Sequence, residues 1–182
     1  AAPGDVAGAN TVVSDSVAGL FAAGADAPLT YGLAANTVAT LTALGLTSGS
    51  TALTYVVSGD TVTASAGTTS IFTFQVTSGG TYTFTLLGHL DHPSLNGVSG
   101  DNTENNLLIN LGAVVTATDS DGDTVAGNAS ALVITVNDDM PAALSPEVAL
   151  GGTVDEDGVT GGLTLAAPGD VAGANTVVSD SV

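Results

Sequence analysis

The 182 residues carry 18 Asp plus Glu and no Lys or Arg, a formal net charge of −18, so no carboxylate can be answered by a salt bridge from its own chain and the counter-charge must come from outside. Nucleic acid and anionic lipid surfaces are excluded as partners, because phosphate recognition requires Lys or Arg. Cysteine is absent, and the 44% hydrophobic fraction is rich in Ala and Val with four Phe, three Tyr and no Trp, which suits a thin sheet core better than a helix bundle and favours bound metal over disulfides as the staple of an extracellular domain.

Residues 1–37 are Ala- and Gly-rich, with a helical turn near Ala18 to Ala23 and a strand over Leu29 to Leu33. From residue 52 to 87 the pattern has period two with turn signals between the runs, the signature of a β-meander. Ala52 to Ser58 puts Leu53, Tyr55 and Val57 on one face, and Thr61 to Ser65 continues with Val62 and Ala64. Ser70 to Val76 aligns Phe72, Phe74 and Val76, and Ser78-Gly79-Gly80 turns onto Thr81 to Leu87 with Tyr82, Phe84 and Leu86 inward. Gly88 to Asn106 turns polar and reads as a long loop of the kind that is functional or disordered. Leu107 to Thr118 resumes as one strand, residues 119–128 connect, and Ala131 to Asn137 is a final strand with Leu132, Ile134 and Val136 opposed to Val133. Pro141 stops it, since proline cannot extend a ladder. Short strands without a convincing helix predict an all-β fold, an immunoglobulin-like antiparallel β-sandwich.

Residues 1–17 return letter for letter as residues 166–182, so the chain is one period of 165 residues followed by the opening of the next. That period exceeds the roughly 20 to 50 residues of solenoids and matches a whole domain. The expected division is 1–27 as the end of a repeat-opening segment, 28–141 as the sandwich, and 142–182 as a linker and the start of the next repeat. The offset phase allows a domain completed by separated segments of neighbouring repeats. No apolar run approaches the ~20 residues of a membrane span, and no signal-like segment opens the sequence, which says little about a parent array.

The acids gather in D-S-D-G-D (Asp119 to Asp123), N-D-D (Asn137 to Asp139) and D-E-D-G (Asp155 to Gly158), with a looser group at Asp91, Asp101 and Glu104. Carboxylates converging in Gly-containing loops without a cation partner are ligand chemistry for Ca2+, which takes six to eight oxygens. In D-S-D-G-D, three Asp at alternate positions can converge on one ion while Gly122 permits a tight loop. An EF-hand is excluded, because its Gly and Glu belong at loop positions six and twelve whereas Gly122 is fourth and Ser130 twelfth. His89 and His92 do not make a zinc site, since no third His and no Cys exists. They read as surface residues of a loop corner fixed by Pro93. No nucleophile-elbow sequence occurs, and the chain is not read as an enzyme.

The runs Y-T-F-T-L-L-G-H-L-D-H-P, E-N-N-L-L-I-N-L, T-A-T-D-S-D-G-D-T, V-I-T-V-N-D-D-M-P and V-D-E-D-G, from about Leu53 to Gly158, closely resemble the tandem immunoglobulin-like repeats of giant RTX adhesins exported by Gram-negative type I secretion systems. The resemblance implies an extracellular extender module on an outer-membrane-attached adhesin. Such a module binds several Ca2+ ions in its loops and junctions, stacks against adjacent repeats of the same chain, makes no direct membrane contact and holds a ligand-binding tip away from the cell. It carries Asp119, Asp121, Asp123, Asp138, Asp139, Asp155, Glu156 and Asp157 over as calcium ligands, with Asp91 and Glu104 beside them. The alternative is a calcium-dependent, lectin-like binding module using the 88–106 loop. Tandem near-identity favours the spacer, since a binding tip is needed once or a few times.

Overall fold

Alternation of apolar with hydroxyl-bearing side chains builds the larger of the sheets. The computed structural model describes residues 10–93, 105–138 and 150–151. In chain order the elements are β1 (Val12–Ser16), β2 (Thr30–Leu33), the helix α1 (Thr37–Thr42), β3 (Thr47–Ser48), β4 (Thr51–Ala52), β5 (Thr54–Ser58) and β6 (Thr61–Ala66). They continue with β7 (Thr69–Val76), β8 (Thr81–Leu86), β9 (Leu107–Asn110), β10 (Val115–Thr118), β11 (Thr124–Ala126) and β12 (Val133–Val136), and 3-10 turns lie at Ala18–Leu20, Gly112–Val114 and Ala129–Ala131. The chain divides into two compact units, residues 1–141 and 142–182; the described part of the second is Leu150, which is exposed, and Gly151. Among the described residues no helix is long and apolar enough to cross a membrane.

The fold is an all-β antiparallel sandwich. Its five-stranded sheet runs β1-β8-β7-β6-β5, a meander with the N-terminal strand added at one edge. Register places Phe74 between Val62 and Phe84, and Phe72 between Ala64 and Leu86. Because side chains alternate across a strand, Tyr55, Val62, Ala64, Phe72, Phe74, Val76, Tyr82 and Phe84 are buried together while Thr63, Thr73, Gln75 and Thr83 face outward. The Phe72 and Phe84 rings stack with centroids 5.1 Å apart. Burial pushes the Tyr55 phenol up to about 12, and its hydroxyl has no hydrogen-bond partner.

The remaining strands form β11-β10-β2 and β12-β9, and the short β3–β4 hairpin stands apart. Ile109, Leu111, Val114, Val115 and Ile134 join the meander's aromatic residues in one core. The Ser78–Gly80 turn meets both layers: the Gly80 carbonyl extends the β1–β8 ladder by accepting the Val17 N–H at 2.8 Å, and the Ser78 carbonyl accepts the N–H of Tyr31 in β2 at 3.2 Å. The φ of Gly80 is +87°, and a Cβ there would sit 2.9 Å from the Tyr31 ring, so glycine alone fits.

Several expectations are corrected. Residues 107–118 are not one strand, because the Gly112–Val114 turn sends β9 and β10 into different sheets. A Cβ on Gly112 would lie 1.8 Å from the Asn128 carbonyl oxygen, so the break occurs where two backbones touch. The 119–128 connection contains β11. A helix exists: α1 buries Thr37 and Leu41, and its six residues are too few to show a helical period. Val57, expected inward, is 40% exposed at the hairpin end. The sheet takes its edge strand from residues 12–16, paired with β8, so the sandwich begins before residue 28. The expected turn near Ala18 and strand near Leu29 are present as the Ala18–Leu20 turn and β2.

Candidate metal centre

The turn between β10 and β11 is the acidic D-S-D-G-D run. Thr118 pairs with Thr124 at its base, and their hydroxyls lie 2.8 Å apart. Asp119 closes the loop: its N–H donates to the Asp123 carbonyl at 3.1 Å, and its Oδ1 accepts the N–H groups of Gly122 at 3.1 Å and Asp123 at 2.9 Å. Gly122, at φ +100°, makes this reversal without the steric cost an L side chain would bear. The Ser120 N–H donates to the Asp26 carbonyl at 3.1 Å, fastening the loop to the segment before β2.

Asp at alternate positions in this turn brings three carboxylates to one place. Oxygens of Asp119, Asp121 and Asp123 all lie within 4.8 Å of one another, with Asp119 half-buried and the other two exposed. Among the described residues this is the one group of three or more His, Cys, Asp or Glu so gathered. A hydrogen bond with Asp119, together with the charge of that residue, raises the Asp121 carboxyl above its ordinary value. The same bond, then the loop N–H groups, lowers Asp119. Two carboxylates held this close repel when both are ionised, and a cation between them would relieve that repulsion. The donor set suits one: it is all oxygen and anionic, and Asp121 and Asp123 are exposed, so further oxygens could complete the six to eight that Ca2+ takes. An open cleft of about 240 Å³ adjoins the cluster, lined by Phe21, Leu29 and Val125 with Asp119 and Asp123 at its rim.

The other predicted ligands are not brought to this cluster. Asp91 lies at the β3–β4 hairpin, where it accepts the Thr47 hydroxyl at 2.6 Å and the N–H groups of Gly49 at 2.8 Å and Ser50 at 2.7 Å. These bonds, the Thr47 hydroxyl foremost, hold its carboxyl below the usual value. It clasps a turn in which Gly49 and Ser50 both have positive φ. Asp138 lies 4.0 Å from His92 Nε2, and the other nitrogen of that ring meets the Asn105 carbonyl at 2.6 Å. Two readings are thereby corrected: His92 is an enclosed link between the 91–93 segment and the end of β12, and a carboxylate does have an ion-pair partner in this chain when His92 is protonated. His89 is exposed. Glu104, Asp139, Asp155, Glu156 and Asp157 lie outside the described residues.

Sequence reasoning missed the structural use of Asp91 and the cleft beside the cluster. A lone aspartate two residues before Pro93 gives no sign of a partner more than forty positions away, and Phe21 and Leu29 reach the cleft through tertiary packing alone.

A family model described as a domain of unknown function, DUF5801, matches residues 4–132. The chain belongs to the DUF5801 family. No curated protein and no solved structure matches it. The DUF5801 match takes in every strand from β1 to β11 and the acidic turn, and stops just before β12. Its inclusion of residues 4–27 agrees with β1 being part of the same sheet.

Proposed function

We propose that this DUF5801 chain is a calcium-binding structural extender module of a repetitive, type I-secreted bacterial cell-surface adhesin. The observation that carries the reading is the Asp119, Asp121 and Asp123 cluster in a chain without Lys or Arg. The 165-residue repeat and the resemblance to RTX adhesin repeats support the spacer role. These three Asp would hold one ion; the junction acids Asp138, Asp139 and Asp155 to Asp157 would hold others between modules.

The physical logic is electrostatic. Uncompensated negative charge repels within and between modules and loosens both the compact and the aligned states. Bound Ca2+ supplies the missing positive charge, and an ion that binds the folded form alone stabilises it by mass action. Extracellular modules are tuned to roughly 0.1 to 1 mM, so a calcium-poor cytoplasm favours an export-competent chain and a calcium-rich exterior favours a stiff, folded one. Thermal scans test this: chelation with EGTA should lower the melting temperature by many degrees, and Mg2+, which demands a tighter octahedral site, should restore little of it. Overlaying scans would sink the proposal.

One observation favours a second reading. The cleft beside the Asp cluster suits a calcium-dependent ligand-binding module, and glycan-array binding by a single unit would select it over the spacer.

A further inference from the structure

The two edges of the five-stranded sheet are built differently. At one edge, β1 carries a charge: Asp15 stands opposite the buried Tyr82, and its carboxylate takes the Ser16 N–H at 2.7 Å. A charge on the inward side and an occupied backbone donor both keep a further strand away. The other edge, β5, has no such guard. Among the described residues it pairs only with β6, in unbroken register, and its sequence T-Y-V-V-S holds no acid and no proline. The helix α1 packs against this strand, yet Thr54, Val56, Val57 and Ser58 all stay exposed, Val56 at 66%.

Charge selects what can cover this edge. Between Asp26 and Asp91 the one acid is Asp60, and its carboxylate is drawn toward β7, where it accepts the Gln75 amide at 3.0 and 3.1 Å, on the side away from the open edge of β5. A cationic partner finds no counter-charge along β5 and is drawn to the acidic turns instead. Two copies of a chain with a net charge of −18 repel over most of their surface, and a neutral strand is where they can meet. We infer that β5 is the contact between two copies of this chain, which pair their β5 strands antiparallel about a two-fold axis at Val56 and join two five-stranded sheets into one. Centred there, all five residues pair: Val56 faces its own copy, Thr54 faces Ser58, and Tyr55 faces Val57. Such a contact is self-complementary, as a two-fold interface must be. It covers the most exposed valine of the strand and sets Val57, 40% exposed, against an aromatic ring, a favourable cross-strand pair. The two Asp60 residues fall at opposite ends of the pair, on the order of 20 Å apart, beyond the roughly 8 Å over which charge acts at physiological salt. The inference rests on the edges of the sheet and not on the metal, so a chain that ignored calcium would leave it standing.

The test uses the full chain at one fixed calcium concentration. By sedimentation equilibrium at up to about 1 mM chain, enough to populate a weak complex, the mass should rise toward a dimer and stop there, and added salt should strengthen the association by screening the like charge. Val56→Lys should stay monomeric with an unchanged melting temperature, because like charges directly opposite one another destabilise a strand pair; its lower net negative charge rules out general repulsion as the cause. The chain has no cysteine, so single replacements map the contact. Val56→Cys places two thiols on residues about 4.5 to 5.5 Å apart at Cα, within disulfide reach, and in a glutathione buffer it should cross-link at least about tenfold faster than Val12→Cys on the β1 edge, since pairing raises the effective thiol concentration. Thr54→Cys chains should cross-link to Ser58→Cys chains faster than either does to itself. A wild-type chain that stays monomeric throughout, or equal cross-linking of Val56→Cys and Val12→Cys, would overturn the inference. Mass that climbs past the dimer, or Val56→Cys chains coupling to Val12→Cys chains as fast as to one another, would replace the two-fold pair with open stacking of β5 on β1 and overturn it equally.

Discussion

The meander β5–β8 and the segment from β9 to β11 are both runs of short strands, yet they hold their shape by different means. In the meander each strand pairs with its sequence neighbour, and the side chains decide: Phe72, Phe74, Tyr82 and Phe84 go inward and the threonines outward. From β9 to β11 the backbone decides, where Gly112 and Gly127 let two turns touch; a Cβ on Gly127 would lie 2.7 Å from the Gly112 oxygen. One region is specified by pattern and the other by the absence of side chains at two positions. The acidic turn lies inside the second region, between β10 and β11, so the candidate site depends on the backbone fit and the core depends on the pattern.

The largest expected effect is in the meander. Phe72 is fully buried and stacks on Phe84, so Phe72→Ala should cost about 3–5 kcal/mol, read as a lower midpoint in urea. Gly112→Ala should cost less, about 1–3 kcal/mol as for other overpacked sites, but its effect should be local. The new methyl meets the Asn128 carbonyl, and backbone cannot swing aside as a side chain can. Hydrogen exchange should rise across residues 109–131 while the β6, β7 and β8 amides keep their protection. Equal loss of protection in both regions would merge them into one unit and end the comparison.

The same contrast explains what the sequence revealed. Strands β5 to β8 and their inward residues, Val57 excepted, were legible because alternation is a local signal, and Leu132, Ile134 and Val136 were legible for the same reason; all three are buried. The break at Gly112 left one trace, an isolated glycine in an apolar strand pattern, which marks a bulge or a close backbone approach. Its partner at Asn128 is set by tertiary packing and has no such trace. β1 was unreadable because its residues are exposed along their whole length, so no apolar face betrays it. In the site, the convergence of Asp119, Asp121 and Asp123 followed from alternate spacing in a tight turn. The clasp by Asp91 did not, because its partners Thr47, Gly49 and Ser50 come from a distant hairpin.

Within the acidic turn the carboxylates divide in the same way. Asp119 holds the loop through two N–H groups, whereas Asp121 meets mainly Asp119 itself, through a hydrogen bond first and through its charge second. Asp121→Ala should therefore weaken calcium binding by at least about tenfold, the scale on which even outer-shell changes act, and leave the metal-free melting temperature unchanged or slightly higher. Asp119→Ala should weaken binding and also loosen the turn without metal. Calorimetric titration with metal-free thermal scans separates the two, and identical behaviour would show that both residues serve the loop alone.

The smallest effect is a pH dependence that sets the two Asp environments against each other. Asp121 is raised by Asp119, so in the metal-free protein it takes up a proton at a higher pH than an ordinary aspartate. Calcium requires the ionised form and must displace that proton. Affinity should therefore begin to fall, as pH decreases, above the usual carboxylate range near 3.9. Asp91 is shifted the other way, held low first by the Thr47 hydroxyl and then by the Ser50 N–H. A depressed carboxyl contributes stability that is complete above its unfolded value and lost as pH falls through its folded value, so the β3–β4 clasp should outlast calcium release on acidification. Carboxylate carbon shifts followed by NMR from neutral pH downward, with and without calcium, measure both transitions in one sample. Asp121 titrating at or below Asp91 without metal would mean that the acidic turn does not crowd its charges, and the electrostatic case for a cation there would fall with it.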